Sequence, residues 1–137
     1  IVLKQKCTGF GDFKFNLKGA GVFKNYRNPR VIWIGIDPNE KLSQLNDRIL
    51  TGLKDAGFKL EDRQFMPHIT LGRIKSIKNP DVLRSALEEY QNSQIQEVHV
   101  KEVILYESIL KPTGPVYKSM GRFSLNTFPL KDSNNSI

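Results

Sequence analysis

The sequence predicts an α+β domain with mixed or antiparallel sheets and helices on their outer faces. Segments with the two-residue period of a strand alternate along the chain with two stretches of helical period. A turn rich in Pro and Gly joins the last two strand segments, which predicts that they pair antiparallel. We expect a single domain over residues 1–130, followed by a polar tail over residues 131–137.

The first third of the chain predicts the end of a helix and two strands. Residues 1–7 are typical of the last turns of a helix, and no N-capping residue precedes them. Residues 13–17 alternate apolar and polar side chains, as a half-buried strand does, and residues 19–21 are expected to interrupt it. The continuous apolar run 31–36 predicts a central strand covered on both faces.

Two helix starts carry the same signature. Asp37 is followed by Pro38 and Glu40, which predicts an N-cap, a proline at the first helical position and a capping box. Asn79 and Pro80 repeat this pattern. Gly57 is expected to end the first helix.

The remaining segments predict three strands. Residues 65–74, 98–110 and 116–125 are the predicted strands, and residues 111–115 form the turn between the last two. These two strands are therefore expected to be neighbours.

The composition favours an anionic partner but does not require one. The net charge is +7, from 21 Lys and Arg against 14 Asp and Glu. This excess fits nucleic acid binding, and it fits equally a soluble protein whose scattered charges aid solubility.

Several classes of protein are disfavoured by the residues themselves. The single Cys7 excludes an internal disulfide and gives no zinc-site spacing, which favours a cytoplasmic protein without a bound metal. No apolar run approaches the ~18 residues of a membrane span, and no phosphate-binding glycine loop is present.

The segment Pro67-His68-Ile69-Thr70-Leu71-Gly72-Arg73 is the strongest candidate for chemistry. Residues two apart on a strand point the same way, so His68 and Thr70 share one face, and strict alternation adds Gly72 to it. An imidazole beside a hydroxyl suits phosphate-ester chemistry. Strict alternation places Arg73 on the opposite face, unless a bulge turns it back. The spacing alone also fits an ordinary solvated strand face.

The other candidates leave two interpretations open. His99 is followed two residues later by Lys101, so it is not assigned as a second catalytic group. Tyr117 is close to a predicted turn. Either its hydroxyl reaches a cleft, or the residue is an ordinary half-buried tyrosine of a strand. Trp33 is expected in the core. Residues 23–30 offer aromatic and basic side chains for RNA, or form a solvated loop.

These residues resemble the two-histidine (2H) phosphoesterases, and most closely the RNA 2′,3′-cyclic phosphodiesterases, long called 2′-5′ RNA ligases. Residues 67–73 are similar to the second H-x-T signature of that family. Residues 19–23 and 29–36 resemble its central block, Gly57-Phe58 its helix exit, and residues 108–117 its closing hairpin. The resemblance covers nearly the whole chain. Family members carry an earlier H-x-T that is absent here, so we expect the chain to be the C-terminal two-thirds of such an enzyme.

The resemblance implies a bilobal fold and a reaction. The expected substrate is an RNA end with a 2′,3′-cyclic phosphate, which is hydrolysed to a 2′-phosphate. The reaction is expected to need no metal or other cofactor, and the enzyme is expected to be a monomer. His68 would be the general base, and a histidine of the earlier motif would protonate the leaving oxygen. Thr70 and Arg73 would bind the phosphoryl oxygens, and Tyr117 would line the cleft. The same groups would allow the reverse 2′-5′ ligation.

Two other functions remain open at this point. The net charge and the single motif also fit a non-catalytic RNA-binding module with a degenerate site, which would bind RNA without turnover. A phosphodiesterase for a nucleotide metabolite is the third candidate. Measuring the hydrolysis of cyclic-phosphate RNA and of cyclic nucleotides with the same protein preparation distinguishes the three functions.

Overall fold

The computed structural model describes residues 1–126, so the predicted tail and residues 127–130 of the predicted domain lie outside the described residues. Its elements follow in the order α1 (Val2–Cys7), β1 (Phe13–Phe23), β2 (Val31–Asp37), α2 (Glu40–Asp55), β3 (His68–Arg73), α3 (Pro80–Glu88), β4 (Gln94–Val100), β5 (Glu102–Lys111) and β6 (Gly114–Ser124). The predicted α+β class is confirmed.

The chain forms two compact units. The helix–hairpin unit comprises Ile1–Phe13, Gln44–Asp62 and, among the described residues, 100–126. The sheet unit comprises Lys14–Ser43 and Arg63–His99.

A small apolar core stabilises the helix–hairpin unit. Cys7, Leu45 and Leu125 are buried against one another, with half-buried apolar side chains of the same unit around them. Burial raises the pKa of the Cys7 thiol, and the nearby Arg48 guanidinium opposes that shift. The thiol is therefore a neutral, apolar member of this core.

The sheet unit contains a four-stranded sheet with the strand order β3-β2-β1-β4. β2 pairs antiparallel with both β1 and β3, which confirms its predicted central position. Its residues 31–36 are all half-buried, so the prediction that both faces are covered was wrong. On β3, Thr70 and Arg73 lie opposite residues of β2 and are exposed to solvent.

Two local predictions are confirmed in detail. β5 and β6 form an antiparallel hairpin in which Lys111 lies opposite Gly114. Gly57 follows α2 with a φ of 93°, a conformation that glycine adopts without strain, and its N–H donates to the Lys54 carbonyl.

Other boundaries differ because long-range pairing decided them. Residues 19–21 do not interrupt β1, which continues through a register shift between Leu17 and Ala20. Asp37 stays in β2 opposite Asn16, so α2 begins at Glu40 and the predicted cap at Asp37 was wrong.

The predicted strands 65–74 and 98–110 also differ. β3 is shorter than predicted, and residues 98–110 are divided between two strands. The division occurs at Lys101, because β4 neighbours β1 whereas β5 pairs with β6 in a separate sheet.

The start of α3 provides a test of the capping prediction. Asn79 accepts a hydrogen bond from the Asp81 N–H at 3.2 Å through its side chain, and Pro80 follows at the first helical position. We expect Asn79→Ala to lower the free energy of unfolding by about 1 kcal/mol in urea titration. Asn79→Asp keeps the acceptor and should be near native; an equal loss in both variants would contradict the capping role.

Candidate active site

Cross-strand pairing places the predicted histidine and threonine on one face of the sheet. His68 lies opposite Gly35, and Thr70 lies opposite Trp33. Directly opposed residues of an antiparallel pair project to the same side. We call this side the histidine face; it carries Gly21 and Phe23 of β1, Val31, Trp33 and Gly35 of β2, and His68, Thr70 and Arg73 of β3.

A bulge in β3 decides the position of the arginine. Trp33 pairs with Thr70 and Ile32 with Gly72, so Leu71 is an extra residue. The extra residue shifts the alternation by one. Arg73 therefore lies opposite Val31 on the histidine face, whereas strict alternation predicted the other face. Gly72 lies opposite Ile32 on the other face, so its predicted place beside His68 and Thr70 was wrong.

The backbone assigns the tautomer of His68. Its Nδ1 lies 2.5 Å from the carbonyl oxygen of Met66. A carbonyl only accepts hydrogen bonds, so Nδ1 carries the hydrogen and the neutral ring keeps a lone pair on Nε2. This arrangement makes Nε2 the atom able to accept a proton. The sequence pattern did not reveal this contact, because it depends on the turn of the chain before the strand.

Aromatic rings hold the imidazole from one side. The Phe23 ring meets the His68 ring edge-on with 4.6 Å between centroids, and it contacts the Trp33 ring at 5.6 Å. A Cβ on Gly21 would lie 2.5 Å from an atom of the indole, so glycine is needed for this close approach. Sequence reasoning placed Phe23 near a basic loop but missed its contact with His68.

His68, Thr70 and Arg73 differ in accessibility. His68 is half-buried, whereas Thr70 and Arg73 are exposed. Ile69 and Leu71, which alternate with them, are also exposed. The imidazole is thus held by protein contacts while the hydroxyl and guanidinium remain free to meet a ligand.

The other predicted site residue belongs to the helix–hairpin unit. Tyr117 lies on β6 opposite Ser108, and its ring contacts that of Tyr106 at 6.3 Å between centroids. Its side chain is 63% exposed. A place for Tyr117 in the same site as His68 stays a prediction. His99 lies on β4.

Within residues 1–126, no three side chains among His, Cys, Asp and Glu gather where a metal ion could bind. None of the helices in that range is both long and apolar enough to cross a bilayer.

Comparison with known proteins assigns the family. The sequence profile of the LigT-like phosphoesterases matches residues 34–117, which includes the whole histidine motif. The chain belongs to the LigT-like phosphoesterase family. This confirms the resemblance to the 2H phosphoesterases that the motif indicated.

Similar sequences within this family come from archaea and bacteria. The chain is 37% identical over 124 residues to the RNA 2′,3′-cyclic phosphodiesterase of Methanothermobacter thermautotrophicus, covering 90% of this chain and 67% of that protein. It is 39% identical over 116 residues to the protein of the same name from Thermotoga maritima, covering 85% and 60%. The chain therefore spans about 60% to 67% of the length of these relatives.

Solved LigT-like structures share the fold. The protein TT0787 of Thermus thermophilus superposes with a TM-score of 0.70 at 25% identity, covering 92% of this chain and 67% of that one. E. coli LigT complexed with 3′-AMP gives a TM-score of 0.62 at 25% identity, covering 90% and 66%.

Proposed function

We propose that the protein hydrolyses the 2′,3′-cyclic phosphate at an RNA end to a 2′-phosphate, with His68 as the general base. The observation that carries this proposal is the hydrogen bond from His68 Nδ1 to the Met66 carbonyl, which leaves Nε2 as a proton acceptor on the face that also carries Thr70 and Arg73. The names of the relatives and the 3′-AMP bound by E. coli LigT support a nucleotide phosphate as the ligand.

The reaction adds water across one phosphorus–oxygen bond. His68 Nε2 takes a proton from water while the water oxygen attacks phosphorus, and the bond to the ribose 3′ oxygen breaks. A second group protonates that leaving oxygen, and the resemblance assigns this role to a histidine of an earlier motif. Each such proton transfer contributes about 10²–10⁴-fold to the rate.

Thr70 and Arg73 stabilise the negative charge on the phosphoryl group. The Thr70 hydroxyl donates a hydrogen bond to a non-bridging oxygen, and its effect is greatest as charge builds in the transition state. The Arg73 guanidinium is suited to bind two phosphoryl oxygens at once. The joining of RNA ends through a 2′-5′ bond uses the same groups, with the 5′ hydroxyl of a second strand attacking phosphorus in place of water while the bond to the ribose 3′ oxygen breaks.

The product identifies the reaction. We expect the native protein to convert an oligoribonucleotide with a 2′,3′-cyclic phosphate end into the 2′-phosphate, at a rate that EDTA leaves unchanged. Nuclear magnetic resonance of phosphorus distinguishes the 2′-phosphate from the 3′-phosphate. A 3′-phosphate product, or loss of activity in EDTA, would contradict the mechanism.

The competing functions give different results in the same assay. Salt-sensitive RNA binding without any turnover would support the non-catalytic RNA-binding module instead. Turnover of cyclic nucleotides with no turnover of cyclic-phosphate RNA would support the metabolite phosphodiesterase.

A further inference from the structure

A cluster of cations continues from the histidine face beyond Arg73. The loop of residues 24–30, which we call the basic loop, connects β1 to β2 at the end of the sheet where Arg73 lies opposite Val31. Lys75 follows Arg73 on the neighbouring chain segment, and the Arg30 guanidinium donates to its carbonyl oxygen at 3.4 Å. The cluster comprises Lys24, Arg27, Arg30, Lys75 and Lys78, and all five side chains are exposed.

The basic loop is anchored to the sheet. Its Pro29 is fully buried, and the N–H of Arg30 donates to the Phe23 carbonyl at 3.2 Å. The N–H of Ile74 donates to the Arg30 carbonyl at 2.8 Å, and the N–H of Asn28 to the Asn25 side chain at 2.9 Å. The cations are thus presented from a preformed surface, which lowers the entropy lost when they bind a ligand.

The charges of this cluster are not neutralised by carboxylates. In residues 1–126, other cations of the sheet unit form ion pairs, for example Lys14 with Glu97 and Lys18 with Asp37. None of the five cluster residues forms an ion pair with a carboxylate in that range. Lysine and arginine side chains without carboxylate partners attract the phosphates of a nucleic acid strand and release its counterions.

The basic loop also contains an aromatic residue, Tyr26. The Arg84 guanidinium lies over the ring of Tyr26 in the basic loop, 5.4 Å from the ring centroid. Tyr26 and Trp33 line a cavity of about 340 Å³, and the buried Trp33 Nε1 has no hydrogen-bond partner among the described residues. Bases stack on aromatic rings and carry hydrogen-bond acceptors, so these groups favour RNA over other polyanions.

We propose that the basic loop and Lys75 hold the RNA strand that precedes the cyclic phosphate, so that the site acts on oligoribonucleotides in preference to cyclic mononucleotides. This inference rests on the proposed function and specifies its substrate. The terminal phosphate contacts His68, Thr70 and Arg73, and the upstream phosphates contact the loop cations.

The test compares two substrates with the same terminal nucleotide, a cyclic mononucleotide and an oligoribonucleotide of about ten residues. We expect Lys24→Gln/Arg27→Gln to lower kcat/KM for the oligoribonucleotide by about tenfold. Turnover of the mononucleotide should stay near native, which also shows that the variant is folded. The slope of log(kcat/KM) against log[salt] should become shallower by about 1.4, since each phosphate contact on a single strand contributes about 0.7.

A matched variant separates a local effect from a change in net charge. Lys54→Gln/Lys59→Gln removes the same charge from exposed positions of the helix–hairpin unit and should leave both substrates unaffected. Equal losses in the two double variants, or equal losses for both substrates in the loop variant, would overturn the proposal.

Binding distinguishes a failure of this inference from a failure of the proposed function. Fluorescence anisotropy with a labelled oligoribonucleotide ending in a 2′-phosphate reports on the loop without turnover. If the native protein hydrolyses neither substrate and the loop variant binds the oligoribonucleotide more weakly, the RNA contact is supported and the proposed activity is refuted. A native protein that hydrolyses both substrates with the same salt dependence has the activity and refutes the RNA contact.

Discussion

We expect His68→Ala to lower kcat for hydrolysis of an RNA 2′,3′-cyclic phosphate end by about 10²–10⁴-fold. The substitution removes the imidazole that shares the histidine face with Thr70 and Arg73, and imidazole is the side chain best suited to proton transfer near neutral pH. The Met66 carbonyl lies at hydrogen-bond distance from Nδ1, so the neutral ring presents its lone pair on Nε2, the atom that takes the proton in this proposal. Single-turnover kinetics with excess native or variant protein measure this loss without interference from product release.

The other histidine of the sequence provides the control. His99→Ala also removes an imidazole from the sheet unit, and we expect it to keep near-native turnover. Circular dichroism and thermal unfolding should show that His68→Ala keeps its fold, with a small loss of stability because Phe23 loses an edge-on ring contact. Retained activity in a folded His68→Ala protein would refute the role of His68 as general base.

We expect Thr70→Val to lower kcat by about 10²–10³-fold. Valine has nearly the shape of threonine but cannot donate a hydrogen bond to the phosphoryl oxygen as its charge increases. Thr70 is exposed on the histidine face opposite Trp33, so the exchange leaves no buried polar group without a partner. Steady-state kinetics at saturating RNA measure the effect on kcat.

A conservative variant makes the second test specific. Thr70→Ser keeps the hydroxyl and loses only a methyl group, and we expect it to retain most of the native rate. If Thr70→Val turned over RNA at the native rate, the hydroxyl would have no part in stabilising the transition state. If Thr70→Ser were as slow as Thr70→Val, the side chain would matter for its shape rather than for its hydrogen bond.

The two rates also help to separate the proposed enzyme from an RNA-binding module. A module with a degenerate site would show the same RNA affinity in the native protein, His68→Ala and Thr70→Val, with no turnover in any of them. The proposed phosphodiesterase would lose turnover in both variants, and its affinity for the upstream strand at the basic loop would stay unchanged. Measuring affinity and rate on the same three proteins therefore tests function and substrate contact separately.

The sequence by itself determined the features that depend on neighbouring residues. The Asn79-Pro80 cap, the turn before β6 and the shared face of His68 and Thr70 were all predicted, because capping and alternation act over a few residues of the same chain segment. The α+β class followed from the same local periods, and the several blocks that resemble the 2H phosphoesterases assigned the family.

Only the tertiary structure decided the features that depend on pairing between distant segments. The bulge at Leu71 brought Arg73 onto the histidine face, and the pairing of Asp37 with Asn16 moved the start of α2. The same pairing of distant strands brought Phe23 of β1 against His68 of β3. Register between strands is set by the summed contacts of whole strands, and no single segment carries that information. For this reason the sequence indicated the candidate side chains His68 and Thr70, whereas the fold determined which residues lie beside them.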